Sequence, residues 1–462
     1  MLAKFKKKYI GDWDFYQKYL LLAIPMILQN AITNLVSFLD NIMVGQLGTE
    51  QMSGVAIVNQ LIFVYNLAIF GAVSAASIFG AQYFGKGNHK GHMYSFRFKL
   101  YATLLVTGGA ILLFLTKGSA LISLYLTDTV GNGATDLALQ YGLEYLAIMM
   151  VGLIPFAVNQ SYATNIKETG QTFIPMLASF VAVGTNAILD YLMIFGIGPF
   201  PELGVQGAAL ATVIARYIEA LIVVIWAHIH RGKNRYLEGA YTGFGIPLAE
   251  LKAILIKGFP LMVNEVLWAA GMTTVTQCYS VRGLDVVAGL NIASTITNLF
   301  NIVYLQLGSC ISIVVGQYLG AGKLEDAKDA DNKMIVFSVF CCVIMAALMF
   351  VVGGFFPGIY NTTEEIRELA TSFIAVSAII MPFCAFSHAS YFTLRSGGKT
   401  VVTFLFDSVF TWVIVVPAAY LLAHFTGLGI VSIYFLVQGT ELIKVIIGYL
   451  MVKSNVWVVQ MV

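Results

Sequence analysis

The chain has 462 residues, of which 58% are hydrophobic and only 11% are charged. Its mean hydropathy of +0.81 is too high for a soluble protein, which must cover its surface with polar and charged side chains. The formal net charge is only +2, and no basic patch stands apart from the loops between apolar segments, so no nucleic-acid partner is predicted. The composition therefore predicts an integral membrane protein.

Apolar runs long enough to cross a bilayer as helices recur from Leu20 to the C-terminus. A hydrocarbon core of about 30 Å needs about 20 apolar residues as helix, whereas a membrane β-barrel would show short alternating segments. The runs predict twelve spans, with several long enough to tilt or to project beyond the bilayer. They are 18–45, 53–82, 96–116, 137–160, 172–196, 206–229, 253–281, 285–318, 333–356, 366–393, 401–424 and 429–452.

Lys and Arg residues are distributed unequally between the two ends of the predicted spans. With the N-terminus inside the cell, inner segments hold all but five of the 26. Those five are Lys117, Arg216, Arg282, Arg367 and Lys444. Because cytoplasmic loops carry an excess of positive charge, both termini are predicted to be cytoplasmic.

The two halves of the sequence repeat one another. A shift of 235 residues, the distance from Pro25 to Pro260, also aligns GAQYFGKGN with VGQYLGAGK, and further on Pro155 matches Pro382. An even number of spans in each half keeps both halves in the same topology. The sequence therefore predicts an all-α membrane protein with twelve transmembrane helices in two six-helix bundles related by pseudo-two-fold symmetry.

The repeat also sets the predicted domain boundaries. A cytoplasmic N-terminal segment (1–17) precedes an N-terminal lobe (18–229), a cytoplasmic linker (230–252), a C-terminal lobe (253–452) and a tail (453–462). The linker is polar and contains several glycines, as is typical of a connection between domains.

Four prolines stand at matched places in the two halves: Pro25, Pro155, Pro260 and Pro382. A proline inside a helix removes a backbone hydrogen bond and favours a kink. Since the positions match, we interpret these prolines as hinges. The alternative is that membrane helices simply tolerate proline.

Three acidic residues, Asp40, Asp190 and Glu265, lie deep in predicted spans. Such residues usually face a cavity or pair with a cation, because an unpaired charge in hydrocarbon is costly. No Lys or Arg lies within 25–48, and Asn186 precedes Asp190 by one turn on the same helical face. Two acids in the first half predict a shared site for a monovalent cation or a proton. The alternative is that Asn186 and Asp190 only form hydrogen bonds between helices.

Glu265 has no acidic partner in the repeat. Its counterpart is Asn30, and the counterpart of Asp40 is Val275, which indicates that the two halves have specialised. Glu265 could be a second proton or cation site, or a counter-ion for a cationic substrate. It could also be a lone carboxyl group kept protonated by hydrogen bonds.

The remaining intramembrane charges are interpreted as structural. Arg216 with Glu219, and Glu441 with Lys444, are three residues apart on one helix, which predicts two ion pairs. His89 and His92 lie in a basic loop and are predicted to be solvent-exposed rather than metal ligands. The sequence contains no Walker A, GxSxG, HExxH or aspartate-rich prenyl-transfer pattern, and its five cysteines match no metal or redox motif. It therefore predicts neither an enzyme nor a bound cofactor.

These motifs, in this order, resemble the multidrug and toxic compound extrusion (MATE) family. They are Pro25 with Asp40 followed by VGQLG, the repeated GAQYFGKGN and VGQYLGAGK, and NxxxD in the fifth span. The resemblance implies a monomeric antiporter in the inner, cytoplasmic membrane of the cell. It would export cationic, amphipathic drugs or toxic compounds in exchange for Na⁺ or H⁺ by rocking between inward-open and outward-open states.

The resemblance also implies which residues bind the ion. The cation or proton site would comprise Asp40, Asn186, Asp190 and Thr212. Asn159 resembles a polar residue lining the same lobe, and Glu265 matches an acid of the NorM-like branch. The tenth span lacks the aspartate found in members with a second Na⁺ site, which argues against a complete second site here.

A lipid-linked saccharide flippase of the same superfamily is the alternative function. Such a protein must hold a diphosphate and needs several basic residues in its cavity. This chain offers only Arg216 and Lys444 within spans, each next to an acid. Its 17 Met, 32 Phe and 23 Tyr residues suit a cavity for varied apolar cations, although lipid-facing surfaces use the same side chains.

Overall fold

The computed structural model describes residues 8–126, 132–243 and 245–462, without the side chains of residues 38 and 132–134. Within these ranges the regular structure is entirely helical. The α-helices are α1 (Trp13–Gly45), α2 (Thr49–Lys86), α3 (His89–Ser123), α4 (Asn132–Val151), α5 (Leu153–Glu168), α6 (Phe173–Ile194), α7 (Gly204–Ile229), α8 (Leu248–Ser280), α9 (Leu284–Gly320), α10 (Leu324–Gly353), α11 (Glu364–Ser396), α12 (Thr400–Phe404), α13 (Val416–Phe425), α14 (Ile430–Gly439) and α15 (Glu441–Lys453). Short 3₁₀ turns occur at Arg235–Leu237 and Phe356–Ile359, and π-helical segments at Leu405–Val409 and Thr411–Val415.

The helices are long and apolar enough to cross a membrane many times. Among the described residues, 11 segments meet this condition, and a pair bent by 44°, Thr135–Val151 with Leu153–Glu168, makes a twelfth. This confirms the predicted all-α membrane fold. α2 has 38 residues and is roughly 57 Å long, well beyond a hydrocarbon core of about 30 Å. Helices of this length must tilt or project beyond the bilayer, as predicted.

The four matched prolines do not have equal effects on their helices. Pro155 lies three residues after the bend at Gly152, where one span is divided. Pro25, Pro260 and Pro382 instead lie inside helices that continue on both sides. Membrane helices tolerate proline because neighbouring groups satisfy the freed backbone carbonyls. A hinge at each of these three positions therefore stays a prediction.

The described chain groups into two compact units. The N unit contains 28–80 and 89–251, and the C unit contains 8–27, 81–88 and 252–462. Each unit has its own apolar core, because every helix buries a stripe of aliphatic and aromatic side chains. α1 contributes to both units and changes membership two residues after Pro25.

The repeated motif forms a reciprocal helix crossing inside the C unit. A Cβ atom on Gly85 would overlap the backbone oxygen of Gln317, and one on Gly320 would overlap that of Gln82. Gln82 and Gln317 are repeat equivalents, and so are the two glycines. The pattern Gln-x-x-Gly thus lets two equivalent helix ends approach backbone to backbone, which is possible only without side chains at the crossing.

A buried charged network joins α3 to α5 in the N unit. Lys99 donates a hydrogen bond of 2.5 Å to Glu168 and another to Asn165, and His92 lies 3.3 Å from the second Glu168 oxygen. The prediction that His92 is exposed is wrong, since it is 1% exposed. Because α3 begins at His89, His92 lies on a packed face of this helix rather than in a loop.

The polar segment after α7 folds against the N unit. The Arg97 guanidinium donates to the carbonyl oxygens of Gly239, Ala240 and Gly245 at 2.6, 2.9 and 2.7 Å. Tyr236 is 1% exposed, and burial raises the pKa of its hydroxyl well above the ordinary value. The described part of this segment is therefore an ordered element of the unit.

Candidate functional site

Three helices of the N unit position the predicted ion site. α1 carries Asp40, α6 carries Asn186 and Asp190, and α7 carries Thr212. On α6 the buried positions recur every three or four residues, so the amide and the carboxylate lie on the stripe that packs into the unit. The stripe comprises Pro175, Ala178, Ser179, Ala182, Asn186, Asp190, Met193 and Ile194.

The structure brings the four predicted residues together. The Asn186 side-chain amide donates to the Thr212 hydroxyl at 3.4 Å. One turn further along α6, the Asp190 carboxyl group interacts electrostatically with that of Asp40. Asp190 is 1% exposed, and neither of its carboxylate oxygens accepts a hydrogen bond from the residues that the structure describes. One buried oxygen of Asp40 is in the same condition.

Arg216, the intramembrane cation of α7, does not neutralise these acids. Arg216 donates to the Gly152 carbonyl oxygen at 3.4 Å, and its guanidinium lies 5.1 Å from the centre of the Phe156 ring. The predicted ion pair between Arg216 and Glu219 is wrong, because Glu219 instead accepts a hydrogen bond from Ser179. Within the described ranges, no Lys or Arg reaches ion-pair distance of Asp40 or Asp190.

Asn159 lies in the same unit but makes no recorded hydrogen bond to the four residues. It stands on α5, is 3% exposed, and has a buried side-chain oxygen without a donor among the described residues. Its position is compatible with the lining predicted for this lobe, and its contribution stays a prediction.

The C unit contains a different acidic cluster, centred on Asp407. Lys444 donates to one Asp407 oxygen at 2.8 Å, and the Asn264 amide donates to the other at 3.1 Å. The Asn264 oxygen accepts from the Ser408 hydroxyl at 2.7 Å and from the Ser408 backbone N–H at 3.3 Å. Asp407 and Ser408 lie in a π-helical segment, a feature that is frequent at functional sites. Both oxygens of the half-buried Asp407 carboxylate therefore accept hydrogen bonds.

Glu265 stands beside this cluster without forming an ion pair in it. It is half-buried, next to Asn264, and within electrostatic range of Arg395 and Asp407. The predicted Glu441–Lys444 pair is wrong, because the Lys444 ammonium turns to Asp407 on another segment. Spacing along one helix could not reveal that tertiary partner.

One signal in the sequence points to the Asp407 cluster. Later in the repeat, the segment NIKETGQT (165–172) of the first half aligns with TLRSGGKT (393–400) of the second half, an offset of 228 residues. The same offset aligns Arg216 with Lys444. The intramembrane cations therefore stand at matched positions, which suggests that each needs a specific partner. The partner itself depends on the π-helical register around Asp407, which no spacing rule predicts.

The MatE family profile matches residues 25–192 and 260–421, more than half of the chain and one block for each predicted repeat. The chain belongs to the MatE family. The probable multidrug resistance proteins NorM of Thermotoga maritima and Halalkalibacterium halodurans are 23% and 24% identical over 413 residues. These matches cover 89% of this chain and 86% and 88% of those proteins. A multidrug resistance MATE family transporter of the MOP superfamily, solved in an outward-facing conformation, superposes with a TM-score of 0.85 at 20% identity, covering 96% of each chain.

Membership of the MatE family confirms the broad functional prediction. The chain is a multi-pass membrane protein of a multidrug efflux transporter family and not an enzyme. The flippase alternative is not favoured by these matches.

Proposed function

We propose that this protein is a secondary antiporter that exports cationic, amphipathic compounds in exchange for Na⁺ or H⁺. The observation that carries the proposal is the pair formed by Asp40, which is half-buried, and Asp190, which is buried. Neither acid has a basic partner within ion-pair distance in the described structure. Two neighbouring carboxylates in an apolar bundle cannot both stay charged without a cation or a proton.

The same pair gives a reason for coupling. A bound Na⁺ would take carboxylate oxygens of Asp40 and Asp190 together with neutral oxygens from Asn186 or Thr212, the hard ligands that such ions prefer. A proton would serve the same purpose by allowing one acid to hydrogen-bond to the other. Either ion removes the repulsion, and its departure restores it, so occupancy by the ion favours one arrangement of α1.

α1 is suited to transmit that change. Asp40 lies about four turns beyond Pro25, and α1 passes from the C unit to the N unit between Ile27 and Leu28. A proline near this point weakens one backbone hydrogen bond and lowers the resistance of the helix to bending. We propose that α1 bends or straightens there as the ion enters and leaves during rocking alternating access. Pro155, Pro260 and Pro382 are proposed as further hinges.

The remaining parts of the proposal concern place and partners. The excess of Lys and Arg on one side supports cytoplasmic termini and an inner-membrane location. We propose that the protein acts as a monomer, with Glu265 and Asn159 contributing to the path of the cationic substrate. The intramembrane cations Arg216 and Lys444 are both engaged by protein oxygens, which does not suit recognition of a diphosphate.

Exchange in proteoliposomes tests this function. The purified protein is reconstituted, and uptake of a fluorescent organic cation is driven first by a Na⁺ gradient and then by a pH gradient alone. We expect one gradient to drive exchange, and Asp40→Asn to lower that exchange by at least about ten-fold, equivalent to about 1.4 kcal/mol. Glu202→Gln, which changes an exposed acid of the same unit, is the matched control. Full exchange by Asp40→Asn would refute the proposed coupling site.

A further inference from the structure

A cavity of about 440 Å³ lies inside the C unit, away from Asp407. It is lined by the first turns of α1, the end of α2, the end of α9 and part of α10. We name it the basic cavity because Lys18 and Lys323 line it, while no Asp or Glu is among its described lining residues. It uses no residue of the ion site.

Among the residues that the structure describes, the two lysines of the basic cavity differ from their neighbours because they have no acidic partner. Lys328 and Lys333, on the adjoining α10, are held by Glu325 and Asp329 at 2.7 and 2.5 Å. Within the part of the chain that the structure describes, neither cavity lysine lies within ion-pair distance of a carboxylate. Both are exposed, so their ammonium groups are available to an external anion.

The rest of the lining is largely apolar or aromatic. It includes Phe15 and Leu22 of α1, Phe84 of α2, Val314 of α9 and Met334 of α10. A small hydrophilic anion would gain nothing from these side chains. An anion attached to a hydrocarbon chain would bury apolar surface against them while its charge meets the lysines.

The residues around the cavity are of the types found at a membrane boundary. The exposed Trp13 begins α1, and Lys18 lies in the second turn of that helix. Lys323 lies in the short turn between α9 and α10, directly before α10 begins at Leu324. Tryptophan and lysine at helix ends are typical of the boundary between headgroups and hydrocarbon. This is also the end of the helices that carries the excess of positive charge.

We propose that the basic cavity binds an anionic phospholipid. Lys18 and Lys323 hold the phosphate group, and the apolar wall holds the upper part of an acyl chain. The phosphate accepts hydrogen bonds from both ammonium groups, an arrangement that a zwitterionic lipid would weaken with its own positive charge. The site is independent of the proposed transport activity.

Native mass spectrometry of the full-length protein in detergent tests the proposal. The protein is titrated with phosphatidylglycerol and, in parallel, with phosphatidylcholine. We expect one phosphatidylglycerol to bind in clear preference. Lys18→Gln together with Lys323→Gln should weaken that binding on the order of 25-fold, about five-fold for each lysine. Lys233→Gln removes an exposed lysine of the N unit and should leave binding unchanged.

Two further measurements separate the lipid from other ligands and from misfolding. Ala321→Phe keeps the charge but narrows the basic cavity, and it should also weaken the preferred binding. Glycerol phosphate, the headgroup without chains, should not compete at the concentrations at which the lipid binds. Unaltered lipid binding in the double lysine variant, or equal competition by glycerol phosphate, would overturn the proposal. If the double variant does not fold, the two single substitutions provide the same test at about five-fold each.

Discussion

Asp190 in the N unit and Asp407 in the C unit are both carboxylates enclosed by membrane helices, yet their surroundings differ. Asp407 receives the Lys444 ammonium at 2.8 Å and the Asn264 amide at 3.1 Å. Asp190 receives no hydrogen bond from the described residues and faces a second acid, Asp40. A charge that the chain itself neutralises has no need of a transported ion. The difference supports the proposal that ion coupling resides in the N unit and that the Asp407 cluster has a structural role.

The repeat shows how this difference arises. Arg216 and Lys444 occupy matched positions, but Arg216 turns to the carbonyl oxygen of Gly152 at the bend between α4 and α5. The Arg216 guanidinium therefore binds a backbone carbonyl at a helix break, whereas the Lys444 ammonium binds a carboxylate. A duplicated scaffold thus keeps a cation in each half and gives it a different partner.

Removal of Lys444 should have the largest effect on stability. Lys444→Met leaves the Asp407 carboxylate, 16% exposed, with its Asn264 hydrogen bond alone. Loss of one member of a buried pair costs about 3–5 kcal/mol, which is the upper limit for this partly exposed pair. We expect a correspondingly lower free energy of unfolding in mixed detergent and SDS. The double variant Asp407→Leu with Lys444→Met should recover most of the loss, since a matched apolar pair needs no counter-charge.

Transport by the stable double variant provides the sharper result. If coupling resides in the N unit, exchange driven by the ion gradient should persist when both members of the Asp407–Lys444 pair are apolar. Loss of ion-driven exchange in a folded double variant would contradict the proposal that only the N unit couples transport to the ion, and it would indicate that both units take part.

Substitution of Asn264 and of Asn186 should have different effects on the free energy of unfolding. Asn264→Ala removes the donor to Asp407 and the acceptor for Ser408, and leaving such buried groups unsatisfied costs about 1–3 kcal/mol. Asn186→Ala removes one long hydrogen bond to Thr212, and interhelical bonds in membranes average about 0.6 kcal/mol. We expect Asn264→Ala to lower the unfolding free energy, and Asn186→Ala mainly to weaken dependence on the ion gradient. Equal loss of stability in both variants would show that Asn186 is structural, as its alternative interpretation holds.

Much of the fold was predictable because bilayer physics constrains it. The apolar runs predicted twelve spans, and the pairing of Pro25 with Pro260 predicted a duplication whose two blocks the MatE profile also matches. The family resemblance groups Asp40, Asn186, Asp190 and Thr212 into one predicted site, whereas only the one-turn spacing of Asn186 and Asp190 follows from the residues themselves.

The failures share one physical cause. The ion pairs assigned to Arg216 and Lys444 relied on neighbours along a helix, whereas their partners come from other segments. His92 was assigned to a loop because a polar run at the end of a span looks like one, and the structure buries it against Glu168. Local spacing predicts which face a residue occupies, but tertiary packing decides which charge it meets.

The last prediction has the opposite sign, a gain in stability. Asp190→Asn removes one of two neighbouring acids that lack a basic partner in the described structure, so it should raise the unfolding free energy by about 0.5–2 kcal/mol while abolishing ion-driven exchange. Asp407→Asn, the matched substitution in the C unit, should lower the unfolding free energy, because it leaves Lys444 without its counter-charge. The Asp190 carboxylate would then be needed for exchange but lower the stability of the protein, whereas the Asp407 carboxylate would increase stability. A destabilised Asp190→Asn would mean that this carboxylate is held by contacts of its own, and the contrast between the units would fail.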